Sequence, residues 1–207
     1  MIGAKSTPMR KIASRVSAVA LCAIALISCS DSQQRTTANT AVFNAKMAEL
    51  GDFNKMRAFM SNTTSRSSFP AHGNQVWYLS PNGKAFLWYP GNSSVLKGEW
   101  KVGIAGVTTA DTGVTVSLPS VCFRYPSSSR NPVTREQGGS WECNATVAYF
   151  IGINEMRKGD VLNLTEDIPF KLERRPELTL SELAISAGLS APNTPNIATW
   201  RSRAASN

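Results

Sequence analysis

The sequence predicts a mainly β protein with an N-terminal α-helix, in which a small antiparallel meander of roughly eight strands closes into a barrel or a strongly curved sheet. Three observations lead there. From Gln75 onward, short runs of aromatic and β-branched residues are separated by Pro, Asn and Gly, the texture of strands joined by tight turns. Asn82-Gly83 sits between two such runs and supplies the positive backbone angles of a hairpin turn. Upstream, Val42, Phe43, Met47 and Leu50, then Phe53, Met56, Phe59 and Met60, recur at three- and four-residue steps, which lines one face of an amphipathic helix.

Residues 1–28 read as a lipoprotein signal peptide. Lys5, Arg10, Lys11 and Arg15 form a basic leader, and Val16 to Ile27 is a short apolar run of the kind found in secretory signals. The run is too short to cross a bilayer, which takes about 20 apolar residues. Leu26-Ile27-Ser28-Cys29 resembles the lipobox cut by lipoprotein signal peptidase, after which Cys29 becomes the acylated first residue. Each buried methylene is worth about 0.8 kcal/mol, and more than one acyl chain holds a protein stably at a membrane. Cleavage after the triplet Ala23-Ile24-Ala25 is the alternative and would release a soluble protein. The expected location is the bacterial cell envelope, anchored by lipid on Cys29 in the outer membrane and facing the periplasm; secretion is the alternative. Ser30 at the second mature position fits outer-membrane sorting.

Residues 29–40 are polar and read as a flexible tether. Residues 41–174 form the single β-rich domain with its N-terminal helix, which is expected to break near Gly51-Asp52. Strands are expected at Gln75–Ser80, Ala85–Tyr89, Val95–Val102, Val114–Leu118, Val121–Tyr125, Trp141–Ile151, Asp160–Leu164 and Phe170–Glu173. Residues 175–207 are rich in Ser, Ala, Pro and Asn and read as a largely disordered tail, with a capping box at Thr179 and Glu182 opening a short helix that ends at Gly188.

Processing changes the charge. The full chain has 22 Lys plus Arg against 14 Asp plus Glu; loss of the four basic leader residues leaves 18 against 14, a net +4. That small excess, without a clustered basic face, gives no case for nucleic acid as a partner.

Export gives the remaining cysteines a meaning. Cys122 and Cys143 fall on neighbouring expected strands, and an oxidising compartment favours a disulfide between them. Between them runs a polar loop, Ser127 to Gly139, with Arg130 and Arg135 inside it and Arg124 at its base. These three guanidinium groups are the candidate binding residues, suited to a carboxylate or phosphate; a plain solvated hairpin is the competing reading. A metal site is not expected, because His72 is the single histidine and no closely spaced cysteine pair occurs. No cofactor is expected either, since no glycine-rich phosphate loop is found.

The helix Ala48 to Met60 followed by Asn62-Thr63, the Ser80-Pro81-Asn82-Gly83-Lys84 hairpin, Gly98-Glu99-Trp100-Lys101-Val102, and Cys122-Phe123-Arg124-Tyr125 with Trp141-Glu142-Cys143 resemble an uncharacterised family of secreted or lipid-anchored proteins from Gram-negative, mainly alphaproteobacterial, bacteria. The resemblance covers residues 43–174. It implies a fold and no activity.

No catalytic residues are assigned. His72 lacks a recognisable nucleophile and orienting carboxylate, and Asp111, Glu142, Glu155 and Asp160 read as surface charges unless the fold pairs two of them at glycosidase spacing. The strand aromatics carry more information. Neighbours such as Trp88 and Tyr89 must point to opposite faces, so one set fills or lines the interior while the other needs the N-terminal helix or a partner as cover; Phe43, Met47 and Phe59 of the helix are expected to pack over the outside or over one mouth. The function expected is a non-enzymatic binding or structural module of the envelope, with an envelope protein or glycan as partner. The alternatives are a carrier of a small apolar ligand, and an envelope hydrolase or an inhibitor of lysozyme-type enzymes.

Overall fold

The end strands of this sheet are joined by one short helix, and that connection dictates its shape. A computed structural model describes residues 40–69, 71–108 and 111–201; the expected signal peptide, Cys29 and nearly all of the expected tether lie outside them. The chain divides after Ala41, and the sheet belongs to the unit Val42–Asn207. Seven strands, β1 (Thr63–Phe69), β2 (Gly73–Leu79), β3 (Lys84–Trp88), β4 (Leu96–Thr108), β5 (Thr115–Arg124), β6 (Glu142–Ala145) and β7 (Ile153–Lys158), form one sheet in the order β6-β5-β4-β3-β2-β1-β7. All pairs are antiparallel. Laid flat, seven strands would put the outer two about 29 Å apart. Yet β6 connects to β7 through the six-residue helix α2 (Thr146–Ile151), whose length is only about 9 Å. The sheet therefore curls into a half-barrel, as the sequence predicts for its class.

Residues 42–49 are helical, and α1 (Phe53–Met60) follows after a break at Gly51-Asp52. Asp52 caps α1 by accepting the Lys55 N–H at 2.8 Å, which satisfies one of the open donors of the first turn. One core cluster joins Met56 and Met60 of α1, Leu79, Trp100, Val121 and Phe123 of the sheet, and Ile153 and Met156 of β7. Side chains from strands near both edges meet only inside the curl, so this is the concave face. Ile153 and Met156 share it, despite their odd spacing, because the register shifts between Arg66 and Ser67 and the bulge resets the alternation.

The convex face is covered by the C-terminal segment, so of the two expected places for the helix, the outside is not the one it takes. Val76, Tyr78 and Trp88 pack there against Leu162, Leu164, Leu172, Leu180 and Leu183, whereas Phe43, Met47 and Phe59 lie over the concave core. The expected tail is thus part of the structure through residue 201. Thr179 and Glu182 make the expected capping box on α3 (Leu180–Ser186), and Gly188 follows at φ 73°. Ala198 and Trp200 are buried in the concave core. Ile197 N–H donates to the Met156 carbonyl at 2.8 Å, so this segment shields the outer edge of β7 from strand addition.

Other elements also differ from expectation. Trp141–Ile151 is a strand only at Glu142–Ala145 and then turns helical, since a short apolar run fits either state until packing decides. Asp160–Leu164 is a turn, with the Asp160 carboxylate accepting the Leu164 and Thr165 N–H groups at 2.8 and 2.9 Å; Leu162 and Leu164 alternate inward from it without a ladder. Phe170–Glu173 is irregular. Val114–Leu118 and Val121–Tyr125 merge into β5, because β6 pairs only from Ser120 onward and Pro119 lies on a stretch where its missing N–H costs no ladder bond. β1 and β7 were not expected as strands: Thr-Thr-Ser-Arg-Ser-Ser and Asn-Glu-Met-Arg-Lys carry little apolar signal, although Thr63, Thr64, Ser65 and Ser67 are buried.

Candidate functional site

A cleft remains open at the end of the concave face away from α1. It has two adjoining lobes of about 230 and 290 Å³. Gln75, Leu87, Phe123, Tyr125, Asn131 and Glu142 line both of them. Alternation explains the set: Gln75 and Trp77 of β2, Leu87 and Tyr89 on and just past β3, and Phe123 and Tyr125 on and just past β5 share one face. Glu142 stands opposite Phe123 in the register and so joins them.

The lid of the first lobe is the loop between the cysteines. Cys122 and Cys143 face each other across β5 and β6 and form a disulfide, so both ends of the loop leave from one stapled point. The loop is internally bonded: Ser129 N–H donates to Pro126 O at 2.9 Å, Asn131 N–H to Glu136 O at 2.9 Å and Gly139 N–H to Tyr125 O at 2.8 Å. Asn131 Oδ1 also accepts the Val133 N–H at 2.9 Å. Ser129, Arg130, Asn131, Pro132, Glu136 and Gly138 face the lobe. Gly138 is required there, because a Cβ would collide with the Pro126 carbonyl oxygen and Ser129 Oγ.

Buried hydroxyls back the inner lobe. Ser67 is 1% exposed and its Oγ has no hydrogen-bond partner among the described residues; Trp77 stands beside the buried Tyr125 hydroxyl and Ser65 beside the buried Tyr149 hydroxyl. Ser67, Tyr125 and Tyr149 line this lobe. These hydroxyls lie behind the cavity surface, and the polar side chains that line both lobes are Gln75, Asn131 and Glu142. Burial pushes both tyrosine hydroxyls well above the ordinary range, so they stay protonated and can donate as well as accept. Trp77, Phe123 and Tyr149 supply flat apolar surface beside them, with the Phe123 and Tyr125 rings parallel at 6.2 Å.

Titratable groups stand at the rim. His72 Nδ1 lies 3.1 Å from the Tyr89 hydroxyl, and burial, then Arg174, hold its pKa below the usual histidine range. Burial, then Glu136, push the Glu142 carboxyl above the usual range. Glu136 accepts from the Thr134 hydroxyl at 2.7 Å.

Of the three arginines singled out in the sequence, only Arg130 borders the cleft. Arg124 follows Phe123 and therefore points to the convex face, where its Nε donates to Glu99 at 3.0 Å and its guanidinium lies 4.9 Å from the Trp141 ring centre. Lys84 completes that row, 3.3 Å from Glu99. Arg135 adopts φ 66° and its N–H donates to Asn131 O at 2.9 Å; it does not border either lobe. The three do not form one anion site, because strand alternation and the loop's internal turn send them in different directions. Among the expected carboxylates, Glu142 reaches the cleft, Glu155 pairs with Arg157 at 2.7 Å, Asp160 caps its own turn and Asp111 is exposed. The described residues hold no group of three or more His, Cys, Asp or Glu side chains placed to bind a metal.

Ser67, Gln75 and Asn131 were not singled out from the sequence. Ser67 was hidden by the missed strand β1, and no pattern marks a glutamine or asparagine as a cleft residue. Comparison with models of protein families, with curated proteins and with solved structures finds no match to this chain.

Proposed function

We propose that this chain is a lipid-anchored envelope protein, held through acylated Cys29, whose half-barrel binds a carbohydrate segment of the envelope without chemically altering it. The observation that carries the binding reading is the cleft wall, where the amides of Gln75 and Asn131 stand among the aromatic faces of Trp77, Tyr89 and Phe123. A sugar ring presents an apolar C–H face for stacking and a hydroxyl edge for hydrogen bonds, which matches both kinds of surface at once. Gln75 and Asn131 supply amide donors and acceptors for that edge. A fatty ligand would desolvate the Gln75 amide on the cleft wall without pairing it, at about 1–3 kcal/mol.

The test is a fluorescence titration, using Trp77 on the cleft wall, with soluble peptidoglycan disaccharide fragments and separately with palmitate. Saturable quenching by the fragments, lost in Gln75→Ala and Tyr89→Ala, supports the proposal. Response to palmitate alone would move the assignment to an apolar carrier. For the anchor, palmitate labelling marks the native chain and not Cys29→Ser; equal labelling of both would refute Cys29 as the lipid site.

A second reading, hydrolysis of the bound glycan, has one observation in its favour. Glu136 and Glu142 line the same lobe, and the Glu142 carboxyl is shifted toward its protonated form, as a general acid requires. Release of reducing ends from the same fragments, abolished in Glu142→Gln, would establish it.

A further inference from the structure

Most open strand edges of this sheet are blunted. The outer edge of β7 is shielded by the segment around Ile197, whose N–H donates to the Met156 carbonyl. β6 is four residues long and carries Glu142, which is exposed. β5 overhangs β6 from Thr115 to Pro119, but Pro119 has no N–H to offer and its carbonyl accepts the Thr146 hydroxyl at 2.6 Å. Cover, short length, charge and proline are the devices by which native sheets avoid strand addition.

The overhang of β4 has none of them. β3 starts at Lys84, opposite Glu99, and the turn before it ends the ladder, with the Trp100 N–H donating to Gly83 O at 2.8 Å. Trp100 therefore directs its backbone groups toward the β3 side, and alternation sends those of Val102, Ile104, Gly106 and Thr108 the same way. Pro119, opposite Ile104 in the register, agrees with this, because its carbonyl points out on the other side of the pair. Past Gly83 no strand lies beside β4, and these outward N–H and C=O groups have no partner among the described residues. The run Val102-Gly103-Ile104-Ala105-Gly106-Val107-Thr108 holds no charge and no proline, and Ile104 is 62% exposed. A lipid or a small apolar ligand could cover Ile104 but would leave the backbone row unpaired. An extended backbone satisfies both.

We propose that this edge of β4 pairs antiparallel with the same edge of a second copy of the chain, joining two half-barrels through one continuous sheet. The run is self-complementary. A two-fold axis at Ala105 puts Ile104 of each copy opposite Gly106 of the other, where the missing side chain leaves room for it, and Val102 opposite Thr108. No charge meets its like across the axis, a conflict that destabilises strand pairs. None of the residues lining the cleft lies on this edge, so the dimer leaves both clefts open. An edge this short buries less than the roughly 800 Å² per partner of a standard stable interface, and the association is accordingly concentration-dependent.

The experiment is analytical ultracentrifugation of the purified chain carrying Cys22→Ser and Cys29→Ser, at loadings up to about 200 μM. Two variants are compared in that background. Ile104→Lys places a charge on the edge at an exposed position, and Ile104→Pro removes one outward N–H while sparing the ladder to β5. A reversible monomer–dimer equilibrium, weakened at least roughly tenfold in Ile104→Lys and Ile104→Pro, supports the proposal. The axis is tested by oxidising Ala105→Cys. Two copies of that residue face each other at about 4.5 Å between Cα atoms, so an intermolecular disulfide should form there and not in Ser117→Cys on the neighbouring strand. A monomer at every loading overturns the proposal and hands the edge to a strand of a different protein. A dimer unchanged in both Ile104 variants overturns it as well.

Discussion

Replacing Cys122 and Cys143 together by alanine tests how far the staple holds both fold and cleft. The bridge joins positions 21 residues apart, and the chain-entropy model gives about 3 kcal/mol for a loop of that length. At about 2–4 °C per kcal/mol for a domain of this size, the melting temperature should drop by roughly 6–12 °C. Reduction of the native protein by dithiothreitol should reproduce most of that loss, since it opens the loop without deleting the Cys122 side chain from its buried site. The assay is urea unfolding followed by tryptophan fluorescence, comparing native, reduced and double-alanine protein, with glycan affinity measured on each while folded. Affinity should fall more than for a substitution of equal stability cost in the convex core, because the loop that lids the outer lobe starts and ends at the staple. Stability within about 1 kcal/mol of native in both reduced and variant protein would refute the loop-closure reasoning.

The other perturbations separate parts of the account. Gly138→Ala should weaken ligand binding with little loss of stability, because the Cβ displaces the lid at Pro126 and Ser129 while the core is untouched; unchanged affinity on titration would count against the lid. Trp200→Ala should cost about 3–5 kcal/mol in urea unfolding, since the side chain is 4% exposed and packs against Phe150 and Phe59; a cost near zero would restore the disordered tail. His72 is the single histidine, so its proton NMR titration is unambiguous and should have a midpoint below about 6.5. Its depressed pKa also means that the unfolded state binds the extra proton first. Stability present above that unfolded value should therefore decline as pH falls below about 6.5 toward the lower folded one, and His72→Gln should flatten that decline. A midpoint at or above the ordinary value would contradict the burial of the ring.

What the sequence made legible was whatever carries a periodic or local chemical signal. The aromatic strands β2 and β3, the Asn82-Gly83 turn, the break at Gly51-Asp52 and the Thr179–Glu182 cap all rest on short-range rules. The disulfide followed from the expected compartment and the neighbouring strands. β1 was hidden because its inward Thr and Ser residues are buried without being apolar. β7 was hidden because Glu155 and Arg157 neutralise each other in a pocket that only the folded tail completes. The tail itself differs for a related reason: its apolar residues, Leu180, Leu183 and Trp200 among them, sit in a stretch rich in Ser, Ala, Pro and Asn, and their burial depends on a sheet made far upstream. The cleft was half visible. Its aromatics and its lid loop stood out, yet Arg124 and Arg135 were misplaced beside Arg130 because the face a side chain takes follows strand register and loop turns rather than proximity in sequence.

The most direct test is backbone amide NMR of the isotopically labelled protein during titration with the peptidoglycan disaccharide fragments. The account predicts shifts concentrated at Ser67, Gln75, Tyr89, Asn131 and Glu142, with the convex row of Lys84, Glu99 and Arg124 unmoved. Shifts confined to that convex row, or none at saturating ligand, would contradict the assignment of the concave cleft as the binding site.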